Sequence, residues 1–129
     1  MKKIIKVLIV EPEKEPYIKE IENNLESLQN IVYGCIDIIQ MEKGVDLIVN
    51  DEGKINGLPF NRYITNDMIA GTFIVAGEKN GKMISLTNDM IKKYMEYFKI
   101  SNHDHIVNMY KSRFSNSSEL VNCEFIGGW

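Results

Sequence analysis

Each apolar run in this chain is short and ends against a turn signal, which limits the fold to brief elements packed in layers. Lys6-Val7-Leu8-Ile9-Val10-Glu11 stops at Pro12 and Pro16, and its unbroken apolar centre predicts a strand covered on both faces. Beyond Pro16, Ile18, Ile21, Leu25, Leu28 and Val32 recur at helical spacing, with Lys19, Glu20, Glu22, Asn23, Glu26 and Gln29 between them. That pattern predicts an amphipathic helix closed at Gly34.

Ile36–Met41 and Val45–Asn50 alternate and are joined by Glu42-Lys43-Gly44, the pattern of a short-loop hairpin. Asp51-Glu52-Gly53 marks a turn, and Lys54-Ile55-Asn56 is a candidate short strand. Gly71–Gly77 reads as a strand, followed by a hairpin turn over Glu78–Lys82 and a return along Met83-Ile84-Ser85. Thr87 is an N-cap for a helix carrying Met90, Ile91, Tyr94, Met95 and Phe98. A further helix is predicted after Asn102 or Asp104, using Ile106, Val107, Met109, Tyr110 and Phe114 and broken by Ser115–Ser118. The tail, residues 119–129, carries Leu120, Val121, Phe125, Ile126 and Trp129, more apolar surface than a free end holds, so either a docked strand or extension or an interface between copies of the chain is expected. The sum is one α+β domain over residues 1–129, a mainly antiparallel sheet with two or three helices packed against it. A chain of 129 residues, 44% hydrophobic, buries roughly two-thirds of its unfolded surface without a covalent staple.

Charge and cysteine usage narrow the function. A net charge of −3 disfavours a duplex-DNA binder, which needs several phosphate-neutralising cations on one face, but leaves room for a small anionic ligand. Cys35 and Cys123 share no metal or redox spacing with each other or with His103 and His105. The N-terminal apolar run is too short for a secretory signal, and no stretch nears the roughly 18 apolar residues of a membrane span. A cytoplasmic protein with free thiols is expected.

No catalytic pattern stands out. His103-Asp104-His105 falls at a predicted helix start, where i, i+2 side chains diverge, so no metal site is expected. The chain contains no nucleophile elbow, and Gly77-Glu-Lys-Asn-Gly81-Lys82 lacks the spacing and Ser/Thr of a phosphate loop. A non-enzymatic protein without a cofactor is the reading. Glu13, Glu15, Glu20, Glu22 and Glu26 would line the first helix, leaving an alternative in which that acidic face inhibits or adapts a protein partner.

The strongest candidate site is Gly57-Leu-Pro-Phe-Asn-Arg-Tyr-Ile64. The chain uses lysine thirteen times and arginine twice, at Arg62 beside Tyr63 and at Arg113 beside Phe114. Pro59 and Gly57 predict a shaped loop that presents an amide at Asn61, a planar phosphate-binding fork at Arg62 and rings at Phe60 and Tyr63. In the late helix Met109 and Tyr110 precede Arg113 by about one turn. If the two segments meet, Asn61, Arg62, Tyr63, Met109, Tyr110 and Arg113 form a nucleotide pocket. The competing reading is that each arginine stacks on its neighbouring ring and pairs with a carboxylate.

The stretches Lys6–Gln29, with its EPxKEPY block, Gly44–Ile64, with GLPxNR, Asp67–Gly77 and Ser85–Phe98 resemble a family of small proteins of unknown function from clostridial genomes and their phages. In size and in the arginine-bearing late helix the chain is also similar to phage sponge proteins that inhibit the Thoeris anti-phage system. That resemblance implies an oligomeric anti-defence protein, acting in the host cytoplasm, that sequesters a cyclic ADP-ribose signal, and in some members cyclic oligonucleotides, without degrading it. It implies ligand contacts at Asn61, Arg62 and Arg113. The family's arginine pair on the late helix is not reproduced, because Met109 stands one turn before Arg113.

Overall fold

The computed structural model describes residues 3–64 and 67–100. β1 (Ile4–Val10) turns at the Pro12–Pro16 segment into β2 (Tyr17–Glu22), which runs antiparallel to it with Ile9 opposite Tyr17 and Ile4 opposite Glu22. α1 (Leu25–Val32) leads to the hairpin of β3 (Ile36–Glu42) and β4 (Val45–Asn50). A second hairpin, β5 (Phe60–Ile64) and β6 (Asp67–Ala70), stands as its own two-stranded sheet. β7 (Phe73–Lys79), β8 (Lys82–Ile84) and α2 (Asn88–Tyr97) complete the described chain. The main sheet has the order β2-β1-β7-β4-β3, all antiparallel, and β8 pairs along β7 from Gly77 to Lys79, past the end of the β1 ladder.

Strand alternation divides the core in two. Ile5, Val7, Ile9, Ile48, Ile74 and Ala76 meet Leu28 and Val32 of α1 on one face. Leu8, Val10, Leu47, Val49, Phe73 and Val75 meet Ile91, Tyr94 and Phe98 from α2 and its C-cap on the other, together with Ile64 and Ile69 of the small hairpin. The α+β class and the antiparallel sheet with helices packed on it follow the sequence pattern, as do the β3–β4 hairpin, the β7–β8 turn and the Thr87 cap, whose hydroxyl accepts from Met90 N.

Several local expectations are corrected. The helix expected from Ile18 begins only at Leu25, because Tyr17–Glu22 pairs with β1 instead. Asn23 and Asn24 make the break. Asn24 Oδ1 accepts from Ser27 N at 2.8 Å, capping α1, while Asn23 Nδ2 donates to Met83 O at 3.1 Å. The acidic helix face therefore does not exist: Glu20 and Glu22 lie on β2, and Glu26 alone of the five sits on α1. Phe60–Ile64 is strand rather than loop, the strand expected at Gly71 starts at Phe73, β6 has no counterpart in the sequence reading, and Lys54–Asn56 is turn. Cys35 is disulfide-bonded, against the expected free thiol. No helix among the described residues is long and apolar enough to cross a membrane. The predicted late helix, the tail at 119–129, and the site residues Met109, Tyr110 and Arg113 lie outside the described residues.

Candidate functional site

The first sequence candidate, Asn61-Arg62-Tyr63, sits on β5. A register shift between Phe60 and Arg62 interrupts the alternation of the strand, so Phe60, Asn61 and Arg62 are all buried in succession. Asn61 Nδ2 donates to the carbonyls of Val10 (2.7 Å) and Gly71 (2.8 Å). Arg62, 1% exposed, spreads its fork in three directions. Its Nε donates to Phe98 O at 2.9 Å, Nη1 to Asn61 O at 3.1 Å and Oδ1 at 2.8 Å, and Nη2 to Lys14 O at 2.6 Å.

These contacts bind together the β1–β2 connection, the small hairpin and the C-terminal end of α2, where a cation also complements the helix dipole. Burial pushes the guanidinium pKa down, and the charge of Glu15 opposes that shift. The fork is thus committed to the chain's own carbonyls rather than presented to a ligand. Tyr63, the outward residue of the three, is 39% exposed. Met109, Tyr110 and Arg113 fall outside the described residues.

A different arrangement offers a concave polar surface on the α1 side of the sheet. The register of β2 on β1 puts Tyr17 opposite Ile9 and Lys19 opposite Val7, on the face that α1 covers. The last turn of α1 brings Asn30 and Tyr33 to the same place, and the β6–β7 connection brings Thr72. Together with Glu11 they line a cleft of about 300 Å³, at the small end of ligand-pocket volumes. Partial burial and a hydrogen bond to the Glu11 carboxylate push the Tyr17 phenol up to about 12, so it stays protonated at neutral pH.

Tyr33 is the unusual member of this set. It caps α1 with φ 66° and ψ 37°, its N–H donating to Gln29 O, and its side chain is left exposed, with the residue at 72%. Left-handed caps favour glycine, because a Cβ there costs roughly 1 kcal/mol or more. The next residue is Gly34, the stop that the sequence reading selected, yet the tyrosine takes the strained position. No signal in the sequence alone could have found this, since it depends on where the helix ends. Tyr17 and Lys19 were hidden by the helical reading of residues 18–32.

A second cavity, about 220 Å³, lies between β3, the 51–55 turn and β6. Asp37, Asp51, Glu52, Lys54 and Asp67 line it, and the ion pair with Lys54 holds the Asp67 carboxyl below its ordinary range. Its acidity opposes a phosphate-bearing ligand. No group of three or more His, Cys, Asp or Glu side chains among the described residues is arranged to hold a metal ion.

The family model of a domain of unknown function (DUF3846) matches residues 5–99. No curated protein and no solved structure matches the chain.

Proposed function

The chain belongs to the DUF3846 family, a domain of unknown function, and for this member we propose a non-catalytic binding protein that captures a nucleotide-class ligand in the cleft between β2 and α1. The observation that carries this reading is Tyr33, an exposed ring held in a left-handed conformation that folding alone would assign to glycine. Strain of this kind concentrates where a side chain must be presented. Tyr17 and Tyr33 supply faces for a base, Asn30 and Thr72 supply donors and acceptors for its edge, and Lys19 supplies a cation for phosphate.

The chemistry of the lining favours capture over turnover. With its pKa pushed up to about 12, the Tyr17 phenol is a poor nucleophile and a poor base near neutral pH. A volume of about 300 Å³ holds a base with part of its sugar, so a larger ligand extends beyond the cleft. Sequestration of a cyclic ADP-ribose isomer or a cyclic oligonucleotide as a phage anti-defence protein is the finer form of this proposal. It draws on the resemblance to sponge proteins, while its geometric support comes from the cleft and not from Asn61 or Arg62.

The test is incubation of the full chain with a panel of nucleotides, cyclic nucleotides and ADP-ribose isomers, followed by mass spectrometry of free and heat-released ligand. Recovery of one intact ligand, lost in Tyr33→Gly while the fold is kept, is the expected result. A converted product would identify an enzyme, and the absence of any bound ligand would remove the proposal.

A further inference from the structure

The tyrosine cleft stands where the β1–β7 ladder runs out. That ladder ends at the pair Val10–Phe73, both buried on the α2 side. Strand alternation turns the next residues, Glu11 and Thr72, to the opposite side, where both line the cleft. A tie across this open end comes from β5. The Nδ2 of fully buried Asn61 donates one hydrogen to Val10 O at 2.7 Å and the other to Gly71 O at 2.8 Å. A single amide thus joins the residue before Glu11 to the residue before Thr72.

The rest of the Leu58–Arg62 block holds that amide in place. Arg62 Nη1 donates to Asn61 Oδ1 at 2.8 Å, which leaves the donor end of the amide facing the two carbonyls. Arg62 Nη2 donates to Lys14 O at 2.6 Å, fastening the turn in which Lys14 N donates to Glu11 O at 3.2 Å. On the other strand Gly71, at φ 83°, donates to Pro59 O at 2.7 Å, and a Cβ there would lie 2.7 Å from Leu58 Cδ1. We propose that Asn61, aimed by Arg62, is a positioning residue for the cleft, which from the α2 side of the sheet fixes the spacing between Glu11 and Thr72. Neither Asn61 nor Arg62 lines the cleft, and both act through the backbone of the residues that do. An amide suits the task, because it carries two hydrogens on one nitrogen and an acceptor for the guanidinium. For its effect on binding the inference rests on the nucleotide reading of the cleft, whereas its geometry rests on these hydrogen bonds alone.

NMR of the full chain carrying Asn61→Asp tests this, since the substitution keeps the shape of the side chain and removes both donors. The Thr72 methyl and Tyr17 ring resonances are expected to shift, while the methyl groups of Leu28 and Val32 in the α1 core stay in place. Affinity for adenosine 5′-monophosphate, the probe, is expected to fall about tenfold or more as the cleft loses its preorganisation. Arg62→Lys is the second variant and decides the question if Asn61→Asp does not fold: with Asn61 Oδ1 released, the same two resonances are expected to move. Gly77→Ala, near the other end of β7, lowers stability without touching the amide and is expected to leave both resonances in place. Unmoved Thr72 and Tyr17 resonances in a folded variant, equal affinity of variant and parent for the probe, or the same movement in Gly77→Ala would each overturn the proposal. A parent chain that binds no nucleotide, with resonances that still respond to Asn61→Asp, removes the nucleotide reading and supports the positioning. Nucleotide binding with resonances that ignore Asn61→Asp does the reverse.

Discussion

Arg62 answers why a lysine-rich chain places an arginine in its interior. Three separate backbone carbonyls and the Asn61 amide oxygen surround it, and only a planar fork reaches them together. A lysine ammonium at the end of a flexible stem satisfies part of that set and leaves the rest buried without a donor. Arg62→Lys is therefore expected to cost about 2–4 kcal/mol, read as a lowered denaturation midpoint at unchanged slope. If ligand binding by the folded variant is retained, Arg62 is a structural residue. Tyr33 is argued in the opposite direction. Tyr33→Gly relieves the left-handed strain and is expected to raise stability by about 0.5–1 kcal/mol while weakening ligand capture. A variant that both folds less stably and binds normally would contradict the role assigned to this ring.

At the scale of elements, the β7–β8 hairpin shows how closely the connections pack. Asn80 and Gly81 both have positive φ, at 55° and 77°, which matches the twist of a two-residue hairpin turn. Below the turn, a Cβ on Gly77 would lie 2.7 Å from the carbonyl oxygen of Ser85. The Ser85 hydroxyl in turn accepts from Lys6 N at 2.9 Å, and Leu86 N donates to Lys6 O at 2.9 Å. Gly77→Ala must move β8 away from β7 and break its junction with β1, so a loss of about 1–3 kcal/mol is expected in thermal or chemical unfolding. The same scale explains the misread start of α1. Ile18 and Ile21 satisfy a helical period as well as a strand, and the choice was made by pairing with β1, which no local spacing reports.

For the molecule as a whole, pH reads out how α2 is fastened to the main sheet. Hydrogen bonds from Lys93 and from the buried Tyr94 hydroxyl hold the Glu42 carboxyl below its ordinary range. A carboxylate depressed in the folded state stabilises above its unfolded pKa of about 4.3, and that contribution disappears as pH falls through the lower folded value. Asp67, lowered by Lys54, behaves in the same direction. Asp46, raised by burial and by Glu78, acts against them, because its protonation in acid relieves the folded state. Glu42→Gln is expected to flatten the fall in melting temperature below about pH 4.5 and to leave the profile above pH 6 parallel to the parent. An unchanged acid limb would show that this cluster does not fasten α2.

Local chemistry alone determined much of this protein. Prolines and an Asn-Gly turn closed its strands, alternation set the β3–β4 hairpin, Thr87 capped α2, and apolar runs marked β1 as a covered strand and β7 as a further strand of an antiparallel α+β sheet, whose order the tertiary structure set. These features depend on neighbours in sequence, so they are legible there. Tertiary structure decided the remainder: β2 rather than a helix at Tyr17–Glu22, the burial of Asn61 and Arg62, and the meeting of Tyr17 and Tyr33 in one cleft. Each of those depends on which strand lies alongside and which carbonyls converge on a side chain. An arginine and a tyrosine look equally fit for binding in one dimension, and packing assigned the first to the chain's own backbone and left the second facing out.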